Sequence, residues 1–328
     1  MELMPVVRAL HLAAIALLAG SFAFPAFVLP PSAAGDPERS FLRGWLASLR
    51  LWSTVVAVAT WLAWIVAVAA GMSGLPLGEA WRPSVVGTVM VETRFGHVWL
   101  IRCALLVLLV SYLAWRQRRR RDRLAGADAV GAALASGVLV SQVWAGHATA
   151  APPWHVVADA VHLVAAALWV GSLLPLLMVL ARARAGAPAW MALADSATRA
   201  FSALGVLAVA ALALTGFING QMMVGSASAL VGSSYGRLVI AKIVLFLGMV
   251  TLAAMNRWWL APRMAPGHPQ ARSAARLLWR NVAVEIALGA CILAAVGFLG
   301  GSEPPAHEPG FAVGGQNKSP AGEAGPSH

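Results

Sequence analysis

The sequence predicts an all-α polytopic membrane protein, with eight transmembrane helices arranged as a parallel 4+4 internal repeat and both termini outside. Three observations predict it. Of 328 residues, 59% are hydrophobic and 11% charged, with mean hydropathy +0.74, whereas soluble chains carry about 25% charged residues. Apolar stretches able to cross about 30 Å of hydrocarbon recur eight times. Motifs of the first four stretches then return, in order, in the last four. The same composition excludes a disordered chain, which needs low hydrophobicity.

The stretches lie at 5–29, 47–71, 97–115, 129–147, 155–181, 201–222, 237–257 and 279–300. Pro31-Ser32-Ala33-Ala34 after the first resembles a signal-peptide cleavage region. The apolar run before it is longer than the usual h-region of about 7–15 residues, and Glu2 spoils a basic n-region, so this span is expected to be retained.

Charge sets the orientation. Of the 24 Lys and Arg, seventeen follow spans 1, 3, 5 and 7, among them the run Arg118 to Arg121. Five lie on the opposite side (Arg8, Arg82, Arg94, Arg237 and Lys318), and Arg102 and Lys242 fall inside spans. By the positive-inside rule the rich side is cytoplasmic. The net charge of +11 is thus a topology signal, and no nucleic-acid partner is expected. Trp81, Trp154, Trp258 and Trp259 near span ends fit an interfacial belt against the lipid bilayer.

The repeat rests on four correspondences. His11-Leu12 with Gly20-Ser21 and Pro25 matches His162-Leu163 with Gly171-Ser172 and Pro175. Arg50-Leu51-Trp52-Ser53 matches Arg199-Ala200-Phe201-Ser202. Phe95-Gly96 with Arg102 matches Tyr235-Gly236 with Lys242, and Pro152-Pro153-Trp154-His155 matches Pro304-Pro305-Ala306-His307. Two four-helix halves, 1–152 and 153–302, are expected about a pseudo-axis along the membrane normal. A Gly-, Pro-, Ser- and Glu-containing tail, 303–328, is expected to be disordered.

Histidine is the informative residue. Seven of eight (His11, His97, His147, His155, His162, His307 and His328) map to outer segments, and His268 alone to the cytoplasmic side. His155, Asp159 and His162 at i, i+4 and i+7 share one helical face. The carboxylate can orient an imidazole or act as a ligand itself. His147 joins this face through a short loop, and His11 is expected to approach from the first half. Imidazole suits Cu, Zn, Fe and Ni, and thioether selects Cu(I), which adds Met222 and Met223 (with Met72) as outer-end candidates. The metal set is therefore His11, His147, His155, His162, Asp159, Met222 and Met223. For a single residue such as His97, a helix-packing hydrogen bond is the simpler reading. Asp159 has the alternative of a structural ion pair with Arg102, and Arg102 and Lys242 read as partners for carboxylates. Cys103 and Cys291 lie in apolar runs without a CxxC pattern. Walker-type loops, G-x-S-x-G and H-E-x-x-H are absent, so no enzyme is expected.

The run Asp159-Ala160-Val161-His162 through Leu168-Trp169-Val170-Gly171-Ser172 to Pro175 resembles the CopD copper-resistance membrane proteins. So do Phe201-Ser202 with Gly205, Thr215-Gly216 with Asn219, Tyr235-Gly236-Arg237-Leu238 with Lys242, Asn256-Arg257, Glu285 with Leu288-Gly289, and Pro304-Pro305. The likeness is strongest over 155–305. In the first half His11, Thr93-Arg94-Phe95-Gly96 and Gly146-His147-Ala148 also fit it. The resemblance implies a bacterial inner-membrane protein, in which the outside termini expected from the charge distribution, N-out and C-out, are periplasmic. It also implies handling of copper as Cu(I) or Cu(II), moved from periplasm to cytoplasm with a periplasmic CopC-like carrier. Some relatives carry that carrier fused; here a separate partner is expected. Two other readings remain open: a b-type haem electron carrier using histidine axial ligands, and a copper sensor or assembly partner that binds without transport.

Overall fold

Backbone polar groups in hydrocarbon must be satisfied within the chain, and every described element is a helix. A computed structural model describes residues 3–30, 36–118, 126–145, 152–224, 227–265 and 267–300. Helix α1 (Leu3–Ala23) continues into a π-type turn, Phe24–Val28. Helix α2 (Pro37–Ser73) precedes two short helices, α3 (Leu77–Ala80) and α4 (Pro83–Glu92). Then come α5 (Arg94–Arg118), α6 (Ala127–Val140), α7 (Pro153–Ala183) and α8 (Pro188–Val224). Helices α9 (Ala227–Gly232), α10 (Ser234–Met255) and α11 (Ala271–Leu299) complete the described chain.

Among the described residues seven helices are long and apolar enough to cross a membrane. The eighth expected span, 129–147, is the 14-residue helix α6, about 21 Å at 1.5 Å per residue. It stops at Val140 because the next carbonyl has another donor: Arg102 Nη2 donates to Ser141 O at 3.2 Å, and Ser141 Oγ turns back to Val138 O. Helix α6 nonetheless runs antiparallel along α5. Its first turn carries Asp128, which pairs with Arg116 near the end of α5, and Ser141 past its last turn meets Arg102 near the start.

Other helices outrun their apolar stretches at the basic end. Helix α2 begins ten residues before the expected position 47, because Asp36 accepts from the backbone N–H of Glu38 and Arg39 and Pro37 fills the first turn. It ends at Gly74, whose φ of 71° closes the helix in the left-handed conformation.

Helices α1 and α7 form the centre. The apolar window of α1 is 67% buried, that of α10 only 6%. The two central helices touch backbone to backbone at glycines: a Cβ on Gly20 would stand 2.0 Å from Gly171 C, and one on Gly171 1.9 Å from Ala16 O. Ser172 Oγ donates to Gly20 O across the same contact. One core gathers α1, α2, α5 and α6, with Ala167 of α7, around Ile15, Leu18 and Phe22; another gathers α7, α8, α10 and α11 around Trp169, Leu173 and Leu176 and takes in Phe24 and Val28 of the π-type turn and Leu42 and Leu46 of α2.

The repeat motifs divide in their outcomes. Thr93 Oγ1 and Ser233 Oγ each accept from the N–H of the glycine three residues on, Gly96 and Gly236, both at 2.9 Å. The matched segments thus open α5 and α10 with one cap. Pro25 follows Ser21 by four residues and Pro175 follows Ser172 by three; the π-type turn of α1, one residue longer than an α turn, absorbs the difference. The pairing of Arg50 with Arg199 does not survive. Arg50 reaches Ser21 O of α1 and Asp128 of α6, whereas Arg199 binds Asp195 of its own helix in an exposed pair. Local similarity at a helix entrance does not fix which face turns inward. His147, His307, His328 and the tail 303–328 lie outside the described residues.

Gly20→Val is expected to lower stability by about 3 kcal/mol or more, since overpacking a well-packed core costs roughly 1–3 kcal/mol and the obstacle here is backbone. Gly44→Ala, with nothing within 4 Å, is expected to be neutral or stabilising by up to about 1 kcal/mol. Thermal unfolding of the purified variants in detergent compares the two.

Candidate functional site

Two imidazoles are held alike. His11 on α1 is fully buried, and its Nδ1 lies 3.1 Å from both Ala57 O and Thr60 Oγ1 of α2. A carbonyl oxygen only accepts, and Thr60 Oγ1 already donates to Val56 O at 2.7 Å, so Nδ1 carries the proton. On α7, His162 Nδ1 lies 2.9 Å from Thr215 Oγ1 of α8, whose own proton goes to Ala211 O at 2.6 Å. Nδ1 is again the donor. In the neutral ring this leaves Nε2 with its lone pair free, the arrangement of a metal-ligating histidine oriented through its other nitrogen. Nε2 of His11 has no hydrogen-bond partner among the described residues.

Two turns back along α7 from His162, His155 is buried and Asp159 sits at i+4, with Nδ1 3.7 Å from Oδ2. Both ring nitrogens of His155 lack hydrogen-bond partners. The other carboxylate oxygen, Oδ1, accepts from Asn219 Nδ2 of α8 at 2.6 Å. Lys242 of α10 lies near enough to act electrostatically on Asp159 and His162. Antiparallel packing of α7 on α8 sets this ladder, because positions 159 and 162 meet 219 and 215.

The expected set is thus distributed. His155, Asp159 and His162 line up on α7 against α8. His11 makes its polar contacts with α2 and places its ring edge on Trp64 at 5.7 Å. Among the described residues, no group of three or more His, Cys, Asp or Glu converges to hold a metal ion. His147 lies outside those residues. Met222 and Met223 end α8, Met222 half-buried, and Met72 is exposed. The alternative ion pair of Asp159 with Arg102 does not form: Arg102 donates to Ser141, and Asp159 accepts from Asn219.

Thr60 was invisible in the sequence reading, and Thr215 and Asn219 entered only inside a motif. All three are polar groups in apolar spans, which is the available signal. Which imidazole each meets depends on helix register. A further polar group is also deep in the bundle. Glu285 of α11 is 1% exposed and accepts from Asn256 Nδ2 at 2.7 Å, and Asn281 Nδ2 donates to Asn256 Oδ1. It borders a cavity of about 320 Å³ lined also by Thr198, Ser202, Arg257 and Trp169.

A sequence profile described as copper resistance protein D matches residues 195–299. A second, copper resistance protein D-like, N-terminal domain, matches residues 1–156. Inner membrane protein YebZ of Escherichia coli (strain K12) is 29% identical over 305 residues, which is 90% of this chain and 97% of that protein. Copper resistance protein D of Pseudomonas syringae pv. tomato is 30% identical over 250 residues, 73% of this chain and 78% of that protein. Copper transport protein CutJ of Bacillus subtilis (strain 168) is 28% identical over 185 residues, 55% of this chain and 33% of that protein. No solved structure matches significantly.

Thr215→Val removes the acceptor from an imidazole N–H and is expected to cost about 1–3 kcal/mol, with Thr215→Ser near wild type. Thermal midpoints test the cost. Nitrogen-15 spectra of histidine-labelled protein are expected to show His11 and His162 protonated at Nδ1, with the His162 signal alone altered by Thr215→Val.

Proposed function

The chain belongs to the copper resistance protein D family, and from that premise we propose that it captures copper at the outer face of the bacterial inner membrane and passes it inward. The observation that carries this reading is the paired histidine geometry. His162 and His11 each spend Nδ1 on a threonine and keep Nε2 for a ligand. Imidazole is a copper donor, and the names copper resistance protein D and copper transport protein belong to relatives that cover much of this sequence. Capture uses His155, Asp159 and His162, with His11, His147, Met222 and Met223 as the further ligands. A periplasmic CopC-like carrier delivers the ion, in keeping with seven of eight histidines mapping to outer segments.

The proposed topology is eight crossings as two parallel halves, with both termini periplasmic. If α6 did not cross, the basic segments after α5 and after α7 would face opposite sides, against the positive-inside rule. Asp128 at the start of α6 pairs with Arg50 and Arg116, and both arginines belong to basic segments, which supports a crossing that begins on the cytoplasmic side. A helix of about 21 Å crosses by local thinning of the bilayer. The Glu285 cavity supplies oxygen donors towards the cytoplasmic end, where histidine is absent from the spans.

Copper influx into proteoliposomes, read by mass spectrometry, is the test. Wild type is expected to transport, and His11→Ala with His162→Ala to lose at least tenfold in rate. Thr215→Val is expected to weaken copper binding about 10- to 100-fold, as loss of a ligand-orienting partner does. Unchanged influx in the double variant removes the assigned site. Stoichiometric binding without flux assigns the protein to copper sensing or assembly, and a Soret band in the purified protein assigns the histidines to haem.

A further inference from the structure

The two halves differ in charge at equivalent positions. The offset that carries His11 onto His162 and Gly20 onto Gly171 carries Arg8 onto Asp159, and the offset that carries Gly96 onto Gly236 carries Arg102 onto Lys242. The second half therefore holds an acid and a base that act on each other. The first half holds two bases.

Both guanidinium groups rest on one indole: Arg8 Cζ lies 5.4 Å and Arg102 Cζ 5.6 Å from the Trp64 ring centre. Arg102 also lies 4.9 Å from Trp99, on which Trp61 stacks at 5.4 Å. Arg102 is fully buried, and its Nε and Nη2 are satisfied by Ser141. Its Nη1 is not, nor are Nε and Nη1 of Arg8, nor the indole N–H groups of Trp61, Trp64 and Trp99. That makes six buried N–H-bearing atoms without an acceptor, and among the described residues no carboxylate pairs with either arginine. Cation–π contact offsets part of the cost of burying a guanidinium. It does not neutralise two like charges in a low-dielectric interior, where a buried charge needs a counter-charge and hydrogen-bond partners.

We propose that this cluster binds an anion, either a small inorganic one such as chloride or phosphate, or the phosphate of a lipid headgroup. The anion supplies the negative charge that the Asp159 carboxylate supplies in the second half. A charge-assisted bond from the unsatisfied Nη1 of buried Arg102, completed by an indole N–H, holds it, and partly exposed Arg8 is its entrance. The inference does not rest on copper chemistry.

The test uses the full chain, delipidated in a non-ionic detergent, with thermal unfolding at constant ionic strength. A ligand that binds the folded state alone raises the midpoint as its concentration rises. Wild type is expected to gain stability when chloride or phosphate replaces gluconate, a larger and weakly coordinating anion, or when phosphatidylglycerol is added. The arm that responds identifies the source of the anion. Arg102→Gln is expected to lose the response. Arg8→Asp supplies an internal counter-charge, and is expected to be more stable than wild type in gluconate and indifferent to added anions; this variant keeps the test informative if Arg102→Gln does not fold. A wild-type midpoint that is the same in gluconate, chloride, phosphate and phosphatidylglycerol overturns the proposal. So does a full response retained in Arg8→Asp.

Discussion

The contact between Gly20 and Gly171 is the constraint on which the other arrangements depend. In a bilayer, apolar surface gains little by leaving lipid, so helices associate through close packing of small residues. Two glycines let the backbones of α1 and α7 meet with no side chain between them. The other faces of each central helix then pack outward, α1 on α2, α6 and α11, and α7 on α8, α11 and α6. His11 and His162, nine residues before these glycines, inherit equivalent stations on either side of the contact.

Equivalent stations have been given different chemistry. On α7 the carboxylate of Asp159 lies among His155, Asn219, His162 and Lys242. On α1, Arg8 takes the place of the acid, and Trp61, Trp64 and Trp99 crowd around two guanidinium groups. At an effective dielectric constant of about 20, a unit charge 4 Å away is worth about 4 kcal/mol. An acid in one such place and a base in another is thus enough to change which ions each favours.

Much of this was legible in order of residues. Span positions, the basic side and the informative histidines follow from composition and period, because the bilayer imposes length and charge rules that each segment obeys independently. The His155, Asp159 and His162 face was legible because it belongs to a single helix. Even the cap that opens α5 and α10 was present as a motif, Thr93 to Gly96 and Ser233 to Gly236.

What crosses between helices was not. That Thr60 meets His11 and Thr215 meets His162, that Arg102 turns to Ser141 instead of Asp159, and that Arg50 and Arg199 part company all depend on helix register and rotation. Those are set by summed packing over whole faces and by the glycine contact, quantities no local window contains. The sequence by itself determined that the chain is a helical membrane protein whose basic residues gather in a few segments between apolar stretches, since those properties are local and additive. Only the tertiary structure decided that His11 and His162 each spend Nδ1, that Arg102 turns to Ser141, and that α6 ends at Val140. Each of these is fixed by a donor or acceptor from a distant helix.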